Sequence, residues 1–227
     1  AGKPVADIRI DGAGKKVTRS DNCRVSDLSV SSDNLTFTYE AKSLPYPIDT
    51  SYYDNEKHTQ ADALSVIPFM DEMNYEGLSV SGLSDGYYGL TIGGEFIGRF
   101  TARELERGIN MALLQNTPQY KQAMKIRQMN EERWLKERKM REFYWVEYNL
   151  MRKTGMLWAC NEAAVDTLRK YRPHDIFLQW NGDLWLQYMH KGIREDCVNE
   201  QQDLVNQIYE QNKPIPLRIE IKKFTDL

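Results

Sequence analysis

Up to residue 100, apolar side chains alternate with polar ones between glycine-rich turns; from Phe100-Thr101-Ala102-Arg103-Glu104 onward they recur every three or four positions. The first rhythm is that of half-buried strands and the second that of amphipathic helices. Leu35-Thr36-Phe37-Thr38-Tyr39-Glu40 predicts the cleanest strand, with Leu35, Phe37 and Tyr39 on its apolar face. Ala6 to Ile10, Cys23 to Val30, Leu78 with Val80, and Tyr88 to Ile92 follow the same alternation. Gly93-Gly94 joins Ile92 to Glu95-Phe96-Ile97, the two-residue connection of a tight hairpin with positive φ values. Between these strands, Pro45 and Pro47 predict an extended edge or surface path, because each removes a ladder donor.

The junction predicts a helix start. Thr101 can cap the free amides, and Glu104 completes a capping box. The helix that follows carries Leu105, Ile109, Ala112 and Leu113 on one stripe until Asn116-Thr117-Pro118 stops it and starts the next, with Thr117 as cap. That second helix is predicted over 118–153, since no Gly or Pro interrupts it before Gly155. At 1.5 Å per residue it would reach roughly 54 Å, long enough to protrude, to bridge two bodies or to pair with another copy. Its middle is charged, and Glu132/Lys136 and Glu137/Arg141 have the favourable spacing for ion pairs along one face. Its C-terminal half is ringed by apolar residues from Met140 to Met151, too broad for a single stripe, which predicts burial against another body.

Further helices are predicted from Glu162 to Tyr171, Asp183 to Glu195 and Asn199 to Gln211, followed by a terminal strand over 217–222. The fold class is therefore α+β. An antiparallel, β-rich, sandwich-like part is expected over 1–100, and a helical part with one long helix and a final strand over 101–227.

Composition narrows the partners. The 227 residues are 41% hydrophobic and 28% charged, and 30 basic against 33 acidic side chains leave a formal charge of -3, so no global field draws the chain to nucleic acid. No apolar run approaches the ~18 residues of a membrane span, and Ala1 to Ile10 lacks the apolar stretch of a secretory signal. Cys23, Cys160 and Cys197 show no paired spacing, and His58, His174 and His190 fit no zinc motif, so neither a metal nor another cofactor is expected.

Catalytic chemistry finds little footing. Many serines could approach His58 in space, but no strand-to-helix nucleophile elbow is present. Acidic pairs such as Asp71/Glu72, or Asp183, are too common among 33 carboxylates to mark a glycosidase. The aromatic residues are more informative. Tyr52 and Tyr53 lie in a polar segment expected to project from the sheet, and Trp180 and Trp185 flank Asn181-Gly182-Asp183. These four are the candidate ligand-binding residues, with flat faces for stacking on sugar rings; packing in a core or at a domain contact is the competing role for the tryptophans.

Several stretches resemble the region downstream of the catalytic domain in multi-domain bacterial SGNH (GDSL-type) esterases and lipases. They are Ala41-Lys42-Ser43-Leu44-Pro45-Tyr46-Pro47-Ile48-Asp49, Leu90-Thr91-Ile92-Gly93-Gly94-Glu95, Gly108-Ile109-Asn110-Met111-Ala112, Asn116-Thr117-Pro118-Gln119-Tyr120 and Lys213-Pro214-Ile215-Pro216. That family carries a Gly-Asp-Ser nucleophile block and a late Asp-x-x-His. Neither occurs here: Gly182-Asp183 runs on to Leu184, and Asn55, Tyr171 and Gln187 stand three places before the histidines. No catalytic residue transfers. The resemblance implies a non-catalytic accessory region that packs on the hydrolase domain of the same polypeptide, in an extracytoplasmic protein acting on an ester, acylated glycans among the candidates. A free-standing carbohydrate-binding module and a helical interaction or dimerisation module are the alternatives.

Overall fold

The computed structural model describes residues 4–51 and 58–224, and places strands in the first half of the chain, helices in the second and a strand at the end. In chain order the first strands are β1 (Ala6–Asp11), β2 (Lys16–Asp21), β3 (Cys23–Val30) and β4 (Asn34–Ala41). A short helix, α1 (Phe69–Glu72), then precedes β5 (Glu76–Ser81), β6 (Tyr87–Ile92) and β7 (Glu95–Thr101). Next come α2 (Ala102–Arg107), the two-residue β8 (Ile109–Asn110) and the long α3 (Pro118–Val146). The chain closes with α4 (Glu162–Tyr171), α5 (Ile176–Tyr188), α6 (Lys191–Gln211) and β9 (Leu217–Lys223).

The strands form two sheets, ordered β2-β1-β5-β8 and β3-β4-β9-β6-β7. The alternation does its work in both. Leu35, Phe37 and Tyr39 from β4 share one core with Ile8 and Ile10 of β1, Leu78 and Val80 of β5, Leu90 and Ile92 of β6, and Ile219 and Ile221 of β9. One ladder departs from the antiparallel expectation, because β1 and β5 run parallel, Ala6 opposite Glu76 through to Asp11 opposite Ser81. β9 lies antiparallel between β4 and β6, so the last strand occupies the middle of the five-stranded sheet.

Local signals at the junction are realised. Gly93 and Gly94 adopt φ of 59° and 86° in the hairpin that pairs Ile92 with Glu95. Thr101 Oγ1 accepts from the Glu104 amide at 3.1 Å while the Glu104 carboxylate accepts from the Thr101 amide at 2.7 Å. The Thr101 amide and hydroxyl, both donating to that carboxylate, hold it below its ordinary range. The helix is shorter than its stripe suggested. Gly108 takes φ of 94°, and Ile109 leaves the helix to pair with Leu78 in the sheet.

The chain divides into two compact units, Ala1–Arg127 with Gln211–Leu227, and Gln128–Glu210. The division falls inside α3 and not at residue 100, because α2, the start of α3 and β9 belong with the sheets. α3 is followed by one wide π turn, Glu147–Met151, where the Arg152 amide bonds the Glu147 carbonyl at 2.8 Å, so the predicted single helix over 118–153 is interrupted at its end. The predicted helix break near Asp196–Val198 lies instead at Met189-His190. Asp175 caps α5 by accepting from the Phe177 amide at 2.8 Å, and Arg194 of α6 donates to the Met189 carbonyl at 2.8 Å, satisfying an acceptor that the end of α5 leaves free. α6 runs unbroken from Lys191 to Gln211 across the expected break, with Cys197 buried within it. The second unit has its own core, built from Phe143, Val146, Met151, Leu168, Leu178 and Trp185.

Candidate functional site

In the second unit, α3 and α5 set a cleft of aromatic and polar side chains. Trp134, Arg138, Arg141 and Trp145 fall at i, i+4, i+7 and i+11 on α3, one face of a helix. Phe177, Trp180 and Asn181 of α5 complete the wall, and Glu142 joins them from α3. The volume is about 470 Å³. Phe177 holds the aromatic side together, tilted on Trp145 at 5.2 Å and edge-on to Trp180 at 5.5 Å between ring centres. On the polar side Arg138 Nε donates to Glu142 Oε1 at 2.7 Å, and the Arg141 guanidinium lies 5.2 Å over the Trp134 ring. Trp180 is 67% exposed, an unusual position for a side chain whose burial would be worth so much.

A second cleft, of about 420 Å³, shares Trp145 and is lined also by Lys153, Tyr171 and His174. Its remaining polar groups are occupied by their own backbone. Asn149 donates to the Trp145 carbonyl, Thr154 to that of Leu150, and Asp175 is the α5 cap.

The two tryptophans nominated from the sequence have separate fates. Trp180 faces the cleft. Trp185 is wholly buried and presents no face to a ligand. Its indole Nε1 donates to Glu147 Oε1 at 2.7 Å, and the other oxygen of that carboxylate accepts from the Trp158 amide at 2.8 Å. The reason is helical geometry, since residues five apart on one helix point about 140° apart. Tyr52 and Tyr53 lie outside the described residues. His58 is exposed.

Three chemically loaded arrangements escaped the sequence reading. Glu147 sits buried in the π turn, and only its isolation as an acid within an apolar run signalled it. Glu76 is fully buried, accepting from the Tyr39 hydroxyl at 2.8 Å and the Gln119 amide at 3.3 Å; burial pushes its carboxyl up to about 7 despite those bonds. Cys160, exposed, places Sγ 3.3 Å from His190 Nδ1 across thirty positions of sequence, a pairing no local pattern announces. Among the described residues no group of three or more His, Cys, Asp or Glu is placed to hold a metal ion, and no helix is long and apolar enough to cross a membrane.

Comparison with known proteins bears on these units directly. Residues 124–213 match the family model described as the diltiazem deacetylase C-terminal helical domain. The solved structure of a gut microbial diltiazem-metabolizing enzyme superposes with a TM-score of 0.91 at 36% sequence identity, covering 99% of this chain and 51% of that one. The chain thus spans about half the length of the enzyme it matches. No curated protein matches the sequence.

Proposed function

We propose that this chain is a non-catalytic accessory region of an esterase-type hydrolase, of the SGNH class, whose ester chemistry is carried out by a separate hydrolase domain of the same polypeptide. One observation carries the reading. The chain is similar along 99% of its length to half of a diltiazem-metabolizing enzyme, yet its 227 residues contain neither a Gly-Asp-Ser block nor an Asp-x-x-His. The sheet unit and the helical unit each bury a core of their own, which supports a role as scaffold and contact surface. Its role is to pack on the hydrolase domain and shape the approach of an ester to it, acetyl esters being the class that the deacetylase resemblance favours. An extracytoplasmic location belongs to the same reading.

The experiment is an assay of the chain alone against p-nitrophenyl acetate. No turnover above buffer is expected, whereas catalytic turnover abolished by a serine-directed inhibitor would overturn the proposal.

A further inference from the structure

We propose that the cleft between α3 and α5 binds a neutral oligosaccharide of two or three sugar rings, with Trp180 as its stacking platform. This inference does not depend on the ester chemistry proposed above.

The apolar requirement of a pyranose ring is a flat, exposed aromatic face, and Trp180 supplies one fixed edge-on by Phe177 at 5.5 Å. Trp134, 44% exposed on the α3 side, has the Arg141 guanidinium over its ring, so Trp180 is the platform. The polar requirement is more selective, because each sugar hydroxyl donates and accepts at once. Arg138 and Arg141 bring guanidinium donors, Glu142 brings acceptors, and Asn181 brings both from the same side as Trp180.

Charge decides among ligand classes. Arg138 is paired with Glu142 at 2.7 Å, and Arg141 shares Glu137 with Arg133, at 3.7 and 3.4 Å, so each guanidinium on the cleft wall already has a carboxylate neighbour. An acidic ligand would face the Glu142 carboxylate on the same wall, and a purely apolar one would strip water from the guanidinium and carboxylate groups without replacing it. A hydroxyl-rich neutral ligand satisfies both walls. The volume of about 470 Å³ falls in the range of sites for small molecules and not of grooves for folded partners.

The test is tryptophan fluorescence titration of the whole chain with cellotriose, xylotriose, mannotriose and tri-N-acetylchitotriose, with trigalacturonate as the acidic comparison. At least one neutral trisaccharide should give a saturable shift. Trp180→Ala should weaken it about tenfold or more, with the circular dichroism spectrum unchanged because the indole is exposed. Asn181→Ala should weaken binding without removing the fluorophore, and calorimetry on both variants guards against loss of signal alone. No saturable response to any neutral trisaccharide would overturn the proposal, as would equal affinity in Trp180→Ala, or tighter binding of trigalacturonate. So would a sedimentation measurement in which the wild-type chain self-associates and Trp180→Ala does not, since the cleft would then be a contact between copies.

Discussion

The indole nitrogen of Trp185 donates to the buried carboxylate of Glu147 at 2.7 Å, and that contact ties α5 to the π turn at the end of α3. With its second oxygen on the Trp158 amide, Glu147 fixes three pieces of the helical unit around one acid. Trp158 itself stands at a φ of 61°, a left-handed conformation that costs a bulky residue about 1–2 kcal/mol and so needs anchoring. Around it Tyr144 and Tyr148 pack edge-on at 6.0 and 5.8 Å.

Replacing Glu147 by Gln keeps the shape but turns one acceptor into a donor, leaving either the indole or the Trp158 amide unpaired. The expected cost is about 1–3 kcal/mol, read as a lower urea midpoint in the second unit. Trp185→Ala should cost more, about 3–5 kcal/mol, because it adds a cavity to the lost bond. A Glu147→Gln protein as stable as wild type would show that the carboxylate is not holding the turn.

Glu76 sets a pH dependence in the sheet unit. Its carboxyl is pushed up to about 7 in the folded protein, by burial first, from an ordinary value near 4.5. The folded state therefore holds the proton more tightly than the unfolded chain. This contribution to stability is complete below about pH 4.5, declines as pH rises, and is lost above about 7. Glu76→Gln should remove a penalty of about 3 kcal/mol at pH 8 and make little difference at pH 4.5. Gln119 now donates through Nε2 to Glu76 while its Oε1 is buried without a hydrogen-bond partner, so by turning its amide over it can accept from the new side chain. Guanidinium unfolding of both proteins from pH 4.5 to 8 checks it: parallel stability curves would refute the assignment.

The three thiols should separate cleanly by accessibility. All are free, Cys160 exposed and Cys23 and Cys197 buried; burial also pushes the Cys23 thiol up to about 11. Native protein treated with 5,5′-dithiobis(2-nitrobenzoate) should release one fast equivalent of coloured thiolate per chain, absent in Cys160→Ser, with the other two appearing only on unfolding. Two fast equivalents in the native protein would contradict this burial pattern.

Gly108→Ala tests the stop that shortens α2. An added Cβ meets no atom closer than 3.5 Å, so the cost comes from the φ of 94° and not from crowding. The expected loss is about 1–2 kcal/mol in thermal or urea unfolding, and a neutral or stabilising substitution would mean that the chain can continue the helix through this position.

Wherever a few adjacent residues carry the information, the sequence was sufficient. The face Leu35, Phe37 and Tyr39, the Gly93-Gly94 hairpin, the Thr101–Glu104 capping box and the helix Glu162–Tyr171 are all realised, because alternation, positive φ and capping act within one turn or one strand. β2 was invisible for the converse reason. Its Lys-Val-Thr-Arg-Ser-Asp is polar and exposed, and it is a strand only through its hydrogen bonds to β1. The same holds for Ile109, which a helical stripe claimed and the β5 edge took.

For the candidate site, the sequence nominated Trp180 and Trp185 together but could not separate the exposed one from the buried one. Trp180 and Trp185 look alike around Asn181-Gly182-Asp183 until α5 is seen to begin at Ile176, before both of them, which sends one outward and the other into the core. Trp134, Arg138 and Arg141 gain their meaning from α5, more than thirty positions away. Local periodicity thus fixed the kinds of element and their apolar faces, whereas the partner of each face, the burial of Glu76 and Glu147 and the shape of the cleft were decided by contacts distant in sequence, whose energies no short window contains.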